Sequence, residues 1–359
     1  MALTILSVAY PLAPVGPDAV GGAEQILTYL DAALTQAGHQ SIVVACERSK
    51  TSGTFFPIRV AGSTLAETLE STDKQQRAEI QQILRDYPVD VVHMHGLNFV
   101  KYLPAEGVPV VVTLHLPASY YPPETFSLTR PQTFLHCVSW SQRRSCPPGA
   151  QLLPDIENGV PVSEQRAPHA KRKFCLALGR ICAEKGFHFA IAAAELAQTP
   201  LLIGGQIFNF PTHREYFANE IAPRCNGSIR FLGPVGLRRK RRLLAAARCL
   251  LVPSIAPETS SLVAMEALAC GTPVIAFPSG ALAEIVEHGR TGFLVKDERE
   301  MGEAIRAAGS LDPRVCIETA RNRFPVERMI ERYFEVYGRL ATVVGYATAS
   351  SCRRYLSAR

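Results

Sequence analysis

The sequence predicts an α/β chain built as two doubly wound parallel-sheet domains of similar size. Two patterns carry this expectation: short β-branched runs alternate with helical stripes along the chain, and the alternation breaks once, at a Pro/Arg/Lys-rich stretch over 161–173. The length, 359 residues, is long for one core and comfortable for two. The expected division is an N-terminal domain over 1–160, a linker over 161–173, and a C-terminal domain over 174–340. A tail over 341–359 is expected to pack back on the first domain.

In the first half, strands are expected at 4–8, 41–45, 89–94, 108–114 and 134–139. A helix is expected over 23–37, with Ile26, Leu30, Ala33 and Leu34 on one face and Gly38 as its stop. In the second half, strands fall at 174–178, 201–203, 229–232, 249–252, 274–277 and 293–295. Helices are expected around 187–197 and 241–247, with a last one from Val326 to about Leu340. Ligands bind such sheets at the carboxyl ends of their strands, so two of them are expected to face an interdomain cleft.

Composition narrows the function classes. With 47% hydrophobic and 19% charged residues and no low-complexity tract, the chain is globular. A net charge of +6 is only mildly basic, and no nucleic-acid module is visible. Much of the excess is one run, Arg238 to Arg242, which reads either as a solvated helix face or as an attraction to an anionic membrane surface or acidic acceptor. The ten cysteines include no Cys-x-x-Cys and no Cys/His spacing suited to zinc, so no metal site is expected. There is no charged n-region with a cleavage site, and no apolar run of spanning length. The expected location is cytoplasmic, either free or peripheral to the inner face of the membrane.

Four stretches carry chemistry. In the most informative, Glu258 and Glu266 stand in an apolar stretch with seven residues between them. Carboxylates are rarely left among such neighbours without a partner. Glu258 falls in the loop after strand 249–252 and Glu266 on the following helix, which Ser260 and Ser261 can start. The backbone N–H groups of Ser261, Leu262 and Val263 lie between the two carboxylates. Together these groups suit a molecule with an anionic centre and hydroxyls at both ends.

The second stretch is Leu178, Gly179 and Arg180, followed by Glu184, Lys185 and Gly186 at the next helix start. One Arg and one Lys at a strand-to-helix junction can neutralise a diphosphate, although two exposed cations near a helix start are also common. In the third, Gly21 and Gly22 lead into the first helix, where backbone can approach a phosphate or simply turn. The fourth is a set of imidazoles, His93, His95 and His115, after strands of the first half. His93 and His95 lack an evident third ligand for a metal, a buried, satisfied histidine is the alternative for His93, and His115, at a strand's carboxyl end, is the better candidate for touching substrate. Tyr120 and Tyr121 line either an acceptor or an ordinary surface loop.

Taken in order, these segments resemble the retaining glycosyltransferases of family GT4, whose fold is GT-B, two Rossmann-like domains. The resemblance is strongest from Leu178 to Val295, where Gly271 to Ala276 and Glu284 to Gly292 recur with family spacing, and Asn158 to Val160 also matches. It implies a nucleoside-diphosphate sugar donor held by the second domain, an acceptor held mostly by the first, and no separate cofactor. Carried over residue by residue, Arg180 and Lys185 would bind the diphosphate. Glu266 would meet the ribose, and Glu258 the donor sugar with amides of Ser261, Leu262 and Val263. Backbone at Phe231 and Gly233 would frame the base, Gly21 and Gly22 would approach the distal phosphate, and His115 the reacting centre. His95, Tyr120 and Tyr121 would lie toward the acceptor, whether saccharide, lipid-linked or small molecule. One departure is plain: the family's Glu-Pro-Phe-Gly-Leu-Val becomes Glu258, Thr259, Ser260, Ser261, Leu262, Val263, which opens the question of sugar preference. The implied reaction is metal-independent hexosyl transfer with retention. The other readings of the same residues are a sugar-nucleotide epimerase or phosphorylase-like enzyme, and a binding protein without turnover.

Overall fold

The computed structural model describes residues 2–164 and 171–356, with side chains described as far as Thr342. The expected linker lies in part outside the described residues. The chain divides into two compact units, one formed by Met1–Ile156 with the residues from Met329 onward, the other by Glu157–Arg328.

The first unit is a six-stranded parallel sheet in the order β3-β2-β1-β4-β5-β6. Its strands are β1 (Thr4–Val8), β2 (Gln40–Cys46), β3 (Thr54–Ile58), β4 (Val91–Met94), β5 (Val110–Leu114) and β6 (Thr133–Cys137). Its helices are α1 (Gly22–Gln36), α2 (Leu65–Asp86) and α3 (Trp140–Ser145). The central strands β1, β4 and β5 are buried along their whole length, as a parallel sheet covered on both faces requires. Strand order reverses between β1 and β4.

Three elements here were not foreseen, the short helix α3 and, more consequentially, β3 and α2. Strand β3 is an edge strand carrying Pro57, which a ladder tolerates only at an edge or bulge, so its pattern is weak. Helix α2 buries Thr72, Asp73 and Gln76 beside Ile80 and Ile83, so polar residues interrupt its apolar stripe. Its start was nonetheless readable: Thr64 accepts from the Glu67 N–H at 3.2 Å, a Thr-x-x-Glu capping pattern.

The second unit repeats the plan with the order β12-β11-β10-β7-β8-β9. Its strands are β7 (Cys175–Leu178), β8 (Leu201–Gly204), β9 (Ile229–Phe231), β10 (Cys249–Val252), β11 (Val274–Ala276) and β12 (Gly292–Leu294). Its helices are α4 (Phe187–Leu196), α5 (Pro211–Tyr216), α6 (Leu237–Ala246), α7 (Leu262–Ala269), α8 (Leu282–Ile285), α9 (Glu298–Ala307) and α10 (Pro313–Arg323). Here the order reverses between β10 and β7, so the loops after these two strands emerge side by side at one sheet edge. Helix α11 (Val326–Leu356) runs on past the expected end at 340, and its residues from Met329 group with the first unit. Among the described residues, no helix is long and apolar enough to cross a membrane.

Candidate functional site

The loops after β7 and β10 carry the residues singled out above. Lys185 closes the single turn Ala183–Lys185, and its Nζ donates to Glu258 Oε1 at 2.5 Å. Ser254 Oγ donates to the same oxygen at 2.5 Å, so one carboxylate oxygen joins β7's loop to β10's. The backbone repeats the link, because the Glu184 carbonyl accepts the Ile255 N–H at 2.8 Å. Gly186, at φ +64°, lies so close to the Pro253 carbonyl that a Cβ would come within 2.1 Å of its oxygen. Arg180 is exposed, and among the described residues its guanidinium meets no carboxylate within bonding distance.

Glu258 is held from the other side by the loop after β11. Its carbonyl accepts the Ala281 N–H at 2.7 Å, and Gly280 pairs with it in an isolated bridge at φ +61°. A Cβ on Gly280 would approach the Glu258 carbonyl oxygen to 2.3 Å, in a backbone conformation that L side chains resist. Gly280→Ala is therefore expected to cost about 2–3 kcal/mol. Gly289→Ala supplies the control, since that glycine has φ +75° but nothing within 4 Å. Urea denaturation should show the difference between them, and equal losses would mean that contact with Glu258 adds nothing.

Glu266 sits in α7, 2% exposed, and accepts from Lys240 Nζ at 2.7 Å. Breaking one side of such a buried pair strands a charge, so Glu266 has a fixed position. Lys240 was not singled out from the sequence, because it stands inside the basic run read as a solvated face. That reading holds for Arg238, Arg239 and Arg242, which are exposed, but α6 turns Lys240 and Arg241 inward, the latter onto Glu164 at 2.5 Å.

Helix α7 begins at Leu262 after Ser261, whose side chain makes no capping bond. The N–H groups of Leu262 and Val263 therefore lack an acceptor within the helix, and the Ser260 hydroxyl is buried without a partner. A cluster of donors left open at a helix start is an anion site. Phe231 ends β9 against Phe217, with ring centroids 4.7 Å apart, and the Gly233 carbonyl accepts the Gly205 N–H at 2.9 Å.

In the first unit, Gly21 precedes α1 without a side-chain cap and Gly22 is exposed, but the buried Glu24 carboxylate folds back over this helix start, so close that a Cβ on Gly21 would come within 1.8 Å of its Oε2. His115, half-buried after β5, lies 2.9 Å from His95 through Nε2 and Nδ1. The other nitrogen of His95 is buried and unpartnered. Burial holds His115 down at about 3 and His95 well below the ordinary imidazole range, so both are neutral at neutral pH. His93 is a structural hub: its nitrogens meet Tyr337 Oη and Thr113 Oγ1, each at 2.7 Å. Tyr121 is buried as a brace, its hydroxyl accepting the His115 N–H at 2.9 Å, whereas Tyr120 is exposed. Of the two tyrosines placed toward an acceptor, then, Tyr121 has its hydroxyl engaged and its ring in the core.

Comparison with known proteins adds to this geometry. Residues 172–309 match the family model described as Glycosyl transferases group 1, and residues 20–147 that described as Glycosyltransferase Family 4. A D-inositol 3-phosphate glycosyltransferase of Nocardioides sp. strain JS614 is 44% identical over 133 residues, 32% of this chain and 29% of that protein. Its counterpart in Catenulispora acidiphila is 40% identical over 28% of this chain and 23% of its own length. The aligned stretch thus spans less than a third of either relative. Glycogen synthase of Mycobacterium tuberculosis is 25% identical over 87% of this chain and 86% of its own. Among solved structures, AviGT4, a glycosyltransferase involved in avilamycin A biosynthesis, superposes with a TM-score of 0.69 at 27% identity, covering 95% of this chain and 98% of the other.

Proposed function

Because the chain belongs to the GT4-type glycosyltransferases of the GT-B fold, we propose that it transfers a hexosyl group from a nucleoside-diphosphate sugar to an acceptor hydroxyl, with retention and without a required divalent ion. One observation carries the reading: Lys185 and Glu258, 73 positions apart, meet at 2.5 Å beside the uncapped start of α7. A cation, a sugar-binding carboxylate and free amides together suit a pyrophosphate joined to a sugar.

In this reading the anomeric carbon's bond to the diphosphate breaks and its bond to the acceptor oxygen forms on the same face. The acceptor's proton passes to the departing phosphate oxygen. Arg180, Lys185 and the amides of Leu262 and Val263 stabilise the charge gathering on the leaving group, the work a metal ion does elsewhere. Glu258 orients the sugar, and Glu266, fixed by Lys240, meets the ribose. His115 is neutral, so it contributes a hydrogen bond rather than a charge. The first unit supplies the acceptor's contacts in this reading, with Tyr120 exposed to make them, whereas His95 is buried away from any acceptor.

Uridine, guanosine and adenosine diphosphate sugars, screened by thermal shift and then with acceptor panels, test the proposal. A matching donor should raise the melting temperature, and free nucleoside diphosphate should form only with an acceptor present, its product keeping the donor's anomeric configuration by NMR. Turnover should persist in EDTA. An inverted product, or turnover abolished by EDTA and restored by magnesium, would overturn the mechanism.

A further inference from the structure

We propose that Cys182, Glu184 and His213 form a site for a thiophilic divalent cation, zinc by its chemistry. Among the described residues these three supply the one set of His, Cys and carboxylate donors close enough to share an ion, their ligand atoms all within 4.8 Å of one another. The thiol and imidazole lie 31 positions apart, outside any local zinc spacing, and meet because the β7 and β8 loops leave neighbouring strands.

The donors stand on ordered backbone. Cys182 is buried at the head of the Ala183–Lys185 turn, its carbonyl accepting the Lys185 N–H at 3.2 Å. The Glu184 backbone is tied to Ile255 as described. His213, in α5, is flanked by Phe208 and Phe210, both edge-on, with ring centroids 6.3 and 5.1 Å away. Its Nδ1 is buried without a hydrogen-bond partner, an arrangement that costs free energy unless something binds there.

Thiolate, carboxylate and imidazole bring two negative charges to a doubly charged ion. The sulfur selects zinc over magnesium or calcium, which take oxygen ligands. Ligands around a tetrahedral ion stand about 3.3–3.8 Å apart at zinc's bond lengths, so binding draws the three together by up to about 1.5 Å and leaves a fourth position open. The thiol proton is released to solvent as the thiolate binds. Contraction moves the segment that carries Arg180 two residues before Cys182 and Lys185 one residue after Glu184. The cation is a ligand of this segment and not the Lewis acid of the transfer, and the site stands whether or not the donor reading holds.

Cobalt(II) is the direct probe. The full chain, stripped with chelator and reduced, should bind one equivalent, with a thiolate-to-cobalt charge-transfer band and the visible bands of a tetrahedral ion, both erased by competing zinc. Cys182→Ser should abolish the charge-transfer band. Glu184→Gln, close in shape to the native residue, and His213→Ala should each weaken cobalt binding at least tenfold, with circular dichroism unchanged. Absence of the band in the wild-type chain, or its survival in Cys182→Ser through another of the ten cysteines, would overturn the proposal.

Discussion

Lys185→Ala is expected to lower kcat/KM for the donor between a hundred- and a thousandfold while shifting the melting temperature by only a few degrees. The rate effect follows from where the ammonium stands, on the β7 loop that carries Arg180 and within 2.5 Å of Glu258. Removing one preorganised donor from a developing oxyanion costs about 2.7–4 kcal/mol. The stability effect is smaller. The Lys185 side chain is 27% exposed and that of Glu258 11%, so solvent screens part of the attraction, and Ser254 still donates to the carboxylate. Lys185→Arg tests charge against shape, because it keeps the cation and changes its geometry, and partial rescue would assign the loss to charge. Glu258→Gln should instead act mainly on KM and on discrimination between sugars, since it leaves the ammonium in place. Steady-state kinetics on the three variants separate these effects. Full turnover in Lys185→Ala would remove the diphosphate assignment and the mechanism built on it.

How much of this was legible differs between the two units, for physical reasons. In the second unit, strand runs such as 249–252 and 201–203 are short, apolar and bounded by turns, and β10 and β8 fall on or within one residue of them. The site residues were legible as types, because a carboxylate amid apolar neighbours needs a partner. The partners were not legible. Ser254 reads as an ordinary loop serine, and Lys240 is hidden among arginines that face solvent, although its inward turn follows from α6 packing on α7. Gly280 marks a positive φ only once the Glu258 loop is seen against it. Cys182 and His213 carry no local spacing at all. In the first unit, helix α2 disguises its buried face with Thr72 and Gln76, the latter spending its amide on the Ala9 carbonyl at 2.8 Å. The histidines there drew attention as ligands or catalysts, with a buried, satisfied role weighed for His93 alone. Most of them instead belong to a polar network inside a core, which no sequence pattern distinguishes from a site.

That network gives the second large effect: the first unit should lose stability steeply as pH falls below about 6.5. His93, His95 and His136 are 0%, 3% and 0% exposed. Thr113 Oγ1 meets both His93 and His136 at 2.7 Å and Tyr333 Oη at 3.1 Å, while Tyr337 meets His93. Among the described residues no carboxylate is bonded to any of these imidazoles, and they stand near one another, His93 and His95 with ring centroids 3.9 Å apart. Burial therefore holds all three below the ordinary range, His136 at about 4 and the others well below 6.5. The sign follows from proton counting. Between the folded and unfolded values, the unfolded chain binds protons that the folded chain excludes, so acid favours unfolding; above about 6.5 both states are neutral and the effect vanishes. At pH 5.5, about one unit below the ordinary value, each such histidine costs on the order of 1 kcal/mol, and His115, held at about 3, adds a fourth, so together they cost several kcal/mol, a large fraction of the roughly 5–15 kcal/mol that holds a domain folded. Melting temperature followed from pH 7.5 to 5 should be flat above 7 and fall steeply below 6. His136→Gln, which keeps a hydrogen-bonding side chain but cannot titrate, should flatten that fall by about one quarter even if it lowers the plateau. A profile level down to pH 5 would mean that the imidazoles take up protons as readily folded as unfolded, and the buried network would then have to admit charge.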